Sequence, residues 1–357
     1  MLFEKYTLRS LSLTNRTVMS PMTRSRAVKA NTPNALMAQY YGQRASAGLI
    51  IAEGTSPSPN GLGYARIPGL FNEDHVQGWK LVTDAVHAKG GKIVIQLMHT
   101  GRVSRASNLP EGAEVIGPCD TICPGTMHSD SEGTQPHSKP RAMTTQDITR
   151  AVWEYTQSAK LAIRAGFDGV ELHAANGYLI EQFLNGNVNQ RTDAYGGSIE
   201  GRNKFALEIV HAVTQAIGAD RTGIRLSPYG AFNDTGAFPE LEAQYVTLVQ
   251  QLSGMRLLYL HLLDHSAMGA PAVPAELKAR LRSTFGGPII LAGGFDRASA
   301  ESALQNREAD LIGFGRAFIA NPDLVARMKA NAPLNAPDMD TFYTADVKGY
   351  TDYPFMS

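Results

Sequence analysis

Eight short apolar runs, separated by segments of helical character, constrain the fold of this sequence more than any other feature. They are residues 17–20, 48–53, 92–97, 169–173, 222–227, 257–262, 288–292 and 311–315. Short apolar runs of this kind are typical of strands that are buried on both faces of a parallel sheet, with helices as the crossovers. Eight such units predict an α/β protein, a single-domain (β/α)8 barrel that spans residues 1–357.

Two connecting segments show helical periodicity of their own. Residues 77–87 carry apolar side chains at helical spacing and stop before Gly90. A second helix is expected to follow Thr145 as its N-cap and to end near Ile163. Residues 100–143, which follow the third run, are rich in Gly, Pro and Ser, and we expect them to cross the barrel mouth with a small hairpin. Residues 332–357 are expected to form a C-terminal tail.

The composition excludes several classes of protein. The 357 residues are 43% hydrophobic and 18% charged, with 33 acidic and 33 basic side chains, which is typical of a globular chain. The sequence contains no stripe of basic residues, so a nucleic acid partner is not expected. No apolar run is long enough to span a membrane, and the N-terminus lacks the features of a signal peptide, so a cytoplasmic location is expected.

Cysteine usage argues against a disulfide framework and an iron–sulfur cluster. Only Cys119 and Cys123 are present. Together with His128 and His137 they form a minor zinc alternative, because their spacing matches no common zinc module. The prediction is therefore that the chain holds no metal.

Three polar side chains of different chemistry follow the fourth apolar run. His173 and Asn176 can donate two hydrogen bonds to one oxygen, and Tyr178 can supply a proton nearby. This combination indicates polarisation of a carbonyl or nitro group followed by protonation of carbon. Surface polar residues at a strand end are the simpler alternative for this stretch taken alone.

Two glycine-rich turns follow the seventh and eighth runs. The first contains Gly293 and Gly294, and the second contains Gly315 followed by Arg316. Barrel enzymes often bind phosphate with backbone N–H groups from these two loops, where glycine permits a close approach. The turns therefore predict a cofactor with a phosphate group, whereas ordinary turns with Arg316 in a surface ion pair are the alternative.

Polar residues also occur within or beside three other runs. Gln96 and Arg225 would be costly to bury unless their polar groups find hydrogen-bond partners, and the edge of a flavin would supply partners for both. The hydroxyl of Thr23 could donate to the same ring. The alternatives are a backbone-bonded core amide for Gln96, a buried salt bridge for Arg225 and a loop hydroxyl bonded to its own backbone for Thr23.

With these residues assembled, the chain resembles the old yellow enzyme family of FMN-dependent ene-reductases, and most closely its branch of N-ethylmaleimide and pentaerythritol tetranitrate reductases. The motifs that carry the resemblance are PMTR (21–24), YYGQRA (40–45), QLMHTGR (96–102), AGFDGVELH (165–173), NQRTDAYGGS (189–198) and GYTDYP (349–354). They occur in order over nearly the whole chain, so the resemblance is highly specific.

The resemblance implies a role for each candidate residue. It places FMN contacts on Pro21, Met22, Thr23, Ala52, Gln96, Arg225, Gly293, Gly294, Gly315 and Arg316. It places substrate anchoring on His173 and Asn176, with Tyr178 as the proton donor. Tyr64, Met98 and Tyr343 match positions that line the substrate pocket in relatives.

Three positions distinguish this chain within the family. Many relatives in the branch carry a second histidine where this chain has Asn176. Met98 replaces an aromatic residue that is common there, which is expected to reshape the pocket. Thr23 stands where another subgroup has cysteine.

The resemblance implies an NAD(P)H-dependent reductase of activated C=C bonds. NADPH or NADH would reduce tightly but non-covalently bound FMN, which would pass a hydride from N5 to the alkene while Tyr178 donates a proton. Expected substrates are α,β-unsaturated carbonyls, maleimides and nitroalkenes, with nitro groups and nitrate esters as further candidates. The protein is expected to be a monomer or weak homodimer.

Two alternatives of other classes remain at this point. A metal-dependent aldolase or hydrolase would use His173, Glu171 and His99 as ligands. A flavin carrier without catalytic activity would need only the phosphate site.

Overall fold

The eight predicted strands close into one parallel barrel in the computed structural model, which describes residues 1–356. They are numbered by their place in the barrel: β1 (Thr17–Met19), β2 (Leu49–Thr55), β3 (Ile93–Leu97), β4 (Gly169–Ala174), β5 (Thr222–Leu226), β6 (Leu260–Leu263), β7 (Ile289–Ala292) and β8 (Leu311–Phe314). Each strand pairs with the next along the chain, and β8 pairs with β1. The predicted (β/α)8 fold is confirmed.

Helices cover the outside of the barrel. They are α1 (Ala35–Gln43), α2 (Glu73–His87), α3 (Thr145–Arg164), α4 (Leu179–Leu184), α5 (Ile199–Ile217), α6 (Leu241–Ser253), α7 (Ala275–Phe285), α8 (Arg297–Gln305), α9 (Arg316–Ala320) and α10 (Leu324–Ala330). No helix within residues 1–356 is long and apolar enough to cross a membrane.

Some predicted boundaries were wrong by a few residues. α2 begins four residues before position 77, because the side chain of Asn72 caps it. The N-cap of α3 is Thr144 rather than Thr145, since Thr144 and Asp147 bond each other's backbone N–H in a capping box. β6 begins at Leu260 although the apolar run begins at 257, because Leu257 is buried without belonging to the strand.

An antiparallel hairpin, which was not predicted, closes the amino-terminal end of the barrel. Its strands are Tyr6–Leu8 and Leu11–Leu13. Leu8, Leu11 and Leu13 pack into one buried cluster with residues at the beginnings of the barrel strands. This end is therefore sealed by apolar contacts, which leaves the carboxyl ends of the strands for chemistry.

The segment between β3 and α3 contains two small pairs of strands. Ile116–Gly117 pairs with Arg141–Ala142 in parallel, and Thr126–Ser129 pairs with Gly133–Pro136 as an antiparallel hairpin. Leu62, Ile67 and Met98 form a small apolar cluster beside this segment, against which Tyr64 and Tyr178 pack. The segment thus lies at the carboxyl end of the barrel.

Candidate active site at the carboxyl end of the barrel

A cleft of about 870 Å³ opens at the carboxyl ends of the strands. It is lined by Pro21, Met22, Thr23, Gly54, Tyr64, Gln96, Met98, His173, Asn176, Tyr178, Arg225, Phe232, His265, Gly293, Gly294, Gly315, Arg316, Phe342, Tyr343 and neighbouring residues. All the candidate residues inferred from the sequence line it, with the exception of Ala52.

Strand register brings the polar residues of the barrel interior together. His173 on β4 is paired with Arg225 on β5, which is paired with His261 on β6. One strand further round, Gln96 on β3 is paired with Glu171. Because side chains alternate along a strand, register partners point to the same side of the sheet, and all five residues are buried.

Arg225 is a buried cation without a protein partner. It is only 5% exposed, its Nε is buried without a hydrogen bond, and its side chain makes no salt bridge within residues 1–356. Burial lowers its pKa, and the negative charge of Glu171 opposes that effect. Since an unsatisfied buried guanidinium is costly, the side chain indicates that an anionic or strongly polar group binds in the cleft. The buried salt bridge considered as an alternative is not formed.

Glu171 organises the floor of the cleft. Gln96 Nε2 donates to Glu171 Oε1 at 2.7 Å, and Glu171 Oε2 is 2.8 Å from His261 Nδ1. Although burial opposes ionisation, His261 and Arg225 hold the pKa of Glu171 below its usual value. The amide nitrogen of Gln96 is therefore committed to the carboxylate, and its carbonyl oxygen makes no hydrogen bond within the described chain, so it can accept one from a ligand.

His173 is neutral in this environment. It is 2% exposed, and burial together with the charge of Arg225 holds its pKa well below the usual value for histidine. Its Nδ1 is buried without a partner. A neutral imidazole carries one N–H, so His173 can donate one hydrogen bond into the cleft.

Asn176 lies in a tight turn after β4, and Tyr178 follows that turn. Asn176 and Gly177 have φ values of 61° and 74°, in the left-handed region. The amide side chain of Asn176 makes no hydrogen bond within the described chain, and its Oδ1 is buried. The turn thus presents an unpaired amide to the cleft in front of His173.

Tyr178 carries the phenol nearest to these donors. Its ring lies edge-on to that of His173, with centroids 5.0 Å apart, and its hydroxyl is 3.0 Å from that of Tyr64. Burial raises the pKa of Tyr178 to about 12. The phenol therefore keeps its proton throughout the neutral range and is available as a donor.

The two glycine turns have the geometry that a close-lying ligand requires. Gly293 has a φ of 137°, and a Cβ there would lie 2.3 Å from the carbonyl oxygen of Asp264. The backbone N–H groups of Gly294 and Gly315 donate no hydrogen bond to the described chain. Arg316 is exposed and forms no ion pair within residues 1–356, so the ordinary surface pair considered as an alternative is not formed.

The loop after β1 supplies the opposite side of this region. Met22 Sδ would lie 3.6 Å from a Cβ on Gly315, so the first and last strands share one wall of the cleft. Pro21 and Thr23 line the same wall. The hydroxyl of Thr23 makes no hydrogen bond within the described chain, in contrast to the self-bonded loop hydroxyl considered above.

The side chain of Ala52, one of the expected FMN contacts, does not line the cleft, so a contact with FMN would have to come from its backbone. Its side chain is fully buried in the core between barrel and helices, because β2 alternates and Ile51 takes the interior position. The register of β2 with β3 shifts between Ala52 and Thr55. This irregularity brings Gly54 to the cleft, where a Cβ would lie 2.5 Å from Met98 Sδ.

The C-terminal segment forms part of the outer wall through Phe342 and Tyr343. Two buried arginines from the loop after β1 hold it in place. Arg24 donates to the carbonyl oxygens of Phe342 and Gly349 at 3.1 and 2.7 Å. Arg26 donates to several carbonyl oxygens of residues 341–348. The outer wall of the cleft therefore depends on contacts between the two ends of the chain.

Neither metal alternative is supported by the arrangement of side chains. Within residues 1–356, no group of three or more His, Cys, Asp or Glu side chains is placed to hold a metal ion. Cys119 and Cys123 are free thiols. His99 uses Nδ1 to accept the N–H of Gly101, and Glu171 is bonded to Gln96 and His261.

Comparison with known proteins identifies the family. The family model described as "NADH:flavin oxidoreductase / NADH oxidase family" matches residues 1–335, which is most of the chain. The chain belongs to this family. It is therefore an NAD(P)H-dependent flavin oxidoreductase with FMN as its cofactor, as the resemblance implied.

Several relatives are similar over nearly their whole length. The chain is 41% identical to 12-oxophytodienoate reductase 7 of Oryza sativa subsp. japonica, over 99% of this chain and 94% of that protein. It is 43% identical to a probable flavin mononucleotide-dependent alkene reductase of Leishmania infantum, over 96% of this chain and 94% of the other. The narrower branch expected from the sequence motifs is only loosely supported by these relatives.

Solved structures agree with this fold and family. Morphinone reductase superposes with a TM-score of 0.95 at 44% identity, covering 99% of this chain and 96% of that one. The old yellow enzyme homologue from Zymomonas mobilis has a TM-score of 0.95 at 37% identity, with 99% of each chain covered. Another structure of morphinone reductase is a complex with tetrahydroNAD.

The cleft fits FMN on its own chemistry. Arg225 is a buried cation that lacks an anionic partner, which an electron-rich ring edge would supply. The glycine turns leave backbone N–H groups free beside the exposed guanidinium of Arg316, which is the donor set that a phosphate requires. Gln96 and Thr23 also line the cleft, and each has a side-chain oxygen that makes no hydrogen bond within the described chain.

Proposed function

We propose that this protein is an ene-reductase, which reduces activated C=C bonds with NAD(P)H. The substrates would be α,β-unsaturated carbonyls, maleimides and nitroalkenes, with nitro groups and nitrate esters as further candidates. The names of the relatives support the general reaction, since they include an alkene reductase and oxophytodienoate reductases. The observation that carries the proposal is that the unpaired polar atoms of His173 and Asn176 line one cleft with Arg225 and the phenol of Tyr178.

The oxygen of the substrate would bind between His173 and Asn176. His173 donates its single N–H, because its low pKa keeps the ring neutral. Asn176 donates through Nδ2, which has no other partner in the described chain. Two donors that are already in position stabilise the enolate-like charge as it develops on the oxygen, at little cost of reorganisation.

Tyr178 would complete the reaction as the proton donor. When bound, FMN would supply the hydride transfer from NAD(P)H to the β-carbon of the alkene. Tyr178 then protonates the α-carbon from its own side of the cleft, and Tyr64 holds the phenol in position through the 3.0 Å contact between hydroxyls. His173 lies on β4, and Asn176 and Tyr178 directly follow that strand, which fixes the relative places of the three side chains.

A double variant tests the oxygen site. His173→Ala with Asn176→Ala should reduce kcat/KM for cyclohexenone by about a hundredfold or more, because both donors to the developing charge are lost. FMN retention and the rate of flavin reduction by NADPH are measured on the same sample. A matched control pairs His211→Ala with Asn306→Ala, since both side chains are exposed and far from the cleft. Unchanged cyclohexenone reduction with FMN retained would contradict the proposal.

The proposed kinetic order is ping-pong, because nicotinamide and alkene would occupy the same cleft in turn. Initial rates at several fixed concentrations of each substrate should give parallel double-reciprocal lines, and intersecting lines would contradict it. A panel of enones, maleimides, nitroalkenes and nitrate esters with NADPH and with NADH defines the substrate range. Gel filtration tests the expected monomer or weak homodimer.

A further inference from the structure

A buried carboxylate lies directly behind the turn that carries Asn176. Glu181 is 1% exposed and accepts three hydrogen bonds: from the N–H of Gly177 at 2.6 Å, from Tyr245 OH at 2.9 Å and from Ser227 Oγ at 3.1 Å. It forms no salt bridge within residues 1–356. Three neutral donors that converge on one carboxylate satisfy it without a counter-ion.

The turn in front of Glu181 has an unfavourable backbone conformation that hydrogen bonds must stabilise. Asn176 and Gly177 are consecutive residues with positive φ, and the left-handed conformation is unfavourable for a residue that carries a Cβ. Asn176 N–H donates to Ser227 Oγ at 3.0 Å, and Ser227 in turn donates to Glu181. The carboxylate therefore holds both N–H groups of the turn, one directly and the other through Ser227.

This arrangement links the two groups that act on the substrate. Asn176 belongs to the turn, and Tyr178 follows it as the N-cap of α4, the helix that carries Glu181. A change at the carboxylate would therefore move the amide of Asn176 relative to the phenol of Tyr178. We propose that Glu181 is a positioning residue whose ionised carboxylate fixes the turn and thereby the geometry between the oxygen donor and the proton donor. The inference rests on the proposed function.

Glu181 is also the group of the site that can change charge near neutral pH. Burial raises its pKa to about 7, although the three hydrogen bonds oppose this shift. In the cleft, the pKa of His173 lies well below the usual range, that of His265 is lowered to about 4 and that of Tyr178 is raised to about 12. Within residues 1–356, no charged side chain pairs with the carboxylate, and its hydrogen-bond donors are Gly177, Ser227 and Tyr245. Below pH 7 it gains a proton, and its hold on the turn weakens.

A spectroscopic experiment tests the contact without using activity. Labelling asparagine with ¹³C at the carbonyl and glycine with ¹⁵N selects the Asn-Gly peptide bonds, of which the sequence has three, at Gly61, Gly177 and Gly186. In the FMN-loaded protein, the Gly177 amide signal should shift with pH with a midpoint near 7. Glu181→Gln should abolish that shift. A Gly177 signal that is independent of pH in the unsubstituted protein would overturn the inference.

Kinetics test the consequence for the substrate. The reduced holoenzyme is mixed anaerobically with cyclohexenone from about pH 5.5 to 8.5, and the apparent Kd and limiting rate are measured. Below the transition the Kd should rise about two- to tenfold, which corresponds to one weakened hydrogen bond. Glu181→Gln should give a weaker and pH-independent Kd. Tyr245→Phe should retain the transition but move it to higher pH, because Tyr245 stabilises the ionised form.

Each outcome distinguishes positioning from a merely structural role. Glu53, whose pKa is raised to about 6, stays in every variant, so any transition due to Glu53 remains in Glu181→Gln. If Glu181→Gln lowers only the melting temperature and keeps the transition near pH 7, Glu181 is structural and the inference is wrong. If His173→Ala with Asn176→Ala leaves the Kd unchanged while the Gly177 signal still titrates, the proposed function fails and the contact stands.

Discussion

Replacing Tyr178 by phenylalanine isolates the proton-donating step. The phenol is neutral at working pH because its pKa is raised to about 12, and its hydroxyl has one protein partner, Tyr64, at 3.0 Å. Loss of a positioned proton donor costs about 10²- to 10⁴-fold in rate, or about 3 to 5 kcal/mol in the barrier. Tyr64 remains as a second phenol within the cleft, so the single variant should lie near a hundredfold and Tyr64→Phe with Tyr178→Phe should approach the upper value.

Rapid mixing separates the affected step from the rest of the cycle. Flavin reduction by NADPH should be unchanged in Tyr178→Phe, because that step uses no proton from the phenol. Reoxidation by cyclohexenone should slow about a hundredfold, whereas the apparent Kd should change little because His173 and Asn176 remain. Tyr229→Phe is the matched control, since the Tyr229 hydroxyl bonds Glu242 away from the cleft. A double phenylalanine variant that reoxidises at the normal rate would refute the role of Tyr178.

Three further predictions test other parts of the structure. Gly293→Ala should release FMN on dialysis and lower the melting temperature by several degrees more than the control Gly269→Ala. Both glycines have positive φ, but only a Cβ at position 293 would meet a backbone oxygen, at 2.3 Å. Burial raises the pKa of Glu181 from 4.5 to about 7, so the protonated carboxyl contributes to the free energy of unfolding, fully below pH 4.5, and this contribution is lost as pH rises through 7. Urea unfolding between pH 5 and 8 should therefore show that the unsubstituted protein loses up to about 3 kcal/mol of stability relative to Glu181→Gln. Arg26→Ala should increase amide hydrogen exchange in residues 341–348, because their carbonyl oxygens lose a shared buried donor, and unchanged exchange would contradict the anchoring role.

The barrel could be predicted because its determinants are local in the sequence. Each apolar run carries its own strand signal, and the order of runs and helices leaves few alternative topologies. The hairpin Tyr6–Leu8 with Leu11–Leu13 was missed because each strand has only three residues, too few to show a period. The hairpin is buried only because it packs against the amino-terminal ends of barrel strands that lie far away in the sequence.

The site was predictable where a residue's type conflicts with its surroundings in the chain. Arg225 within an apolar run signals a ligand from the sequence alone. Ala52 shows the limit, because a run that is apolar on both faces gives no indication of which side each residue takes, and only the packing shows that the side chain of Ala52 faces the helices. Gly54 and His265 line the cleft through a register shift and a loop, neither of which has a sequence period.

Glu181 could not be recognised from sequence for a different reason. In the sequence it is an acidic residue on a short helix, a place where carboxylates are usually solvated. Its burial comes from Tyr245 and Ser227, which lie 64 and 46 positions further along the chain. Such a residue is found only when the long-range packing is known.

The closure of the barrel between β8 and β1 has a consequence for biosynthesis. The walls of the cleft that would hold FMN come from the loop after β1, from the turns after β7 and β8, and from the segment that Arg24 and Arg26 retain. A nascent chain that has emerged only as far as β7 lacks the partner of β1 and half of the phosphate turns. Cofactor loading must therefore follow synthesis of nearly the whole chain, and flavin supply would affect the survival of the finished protein rather than the early course of its folding.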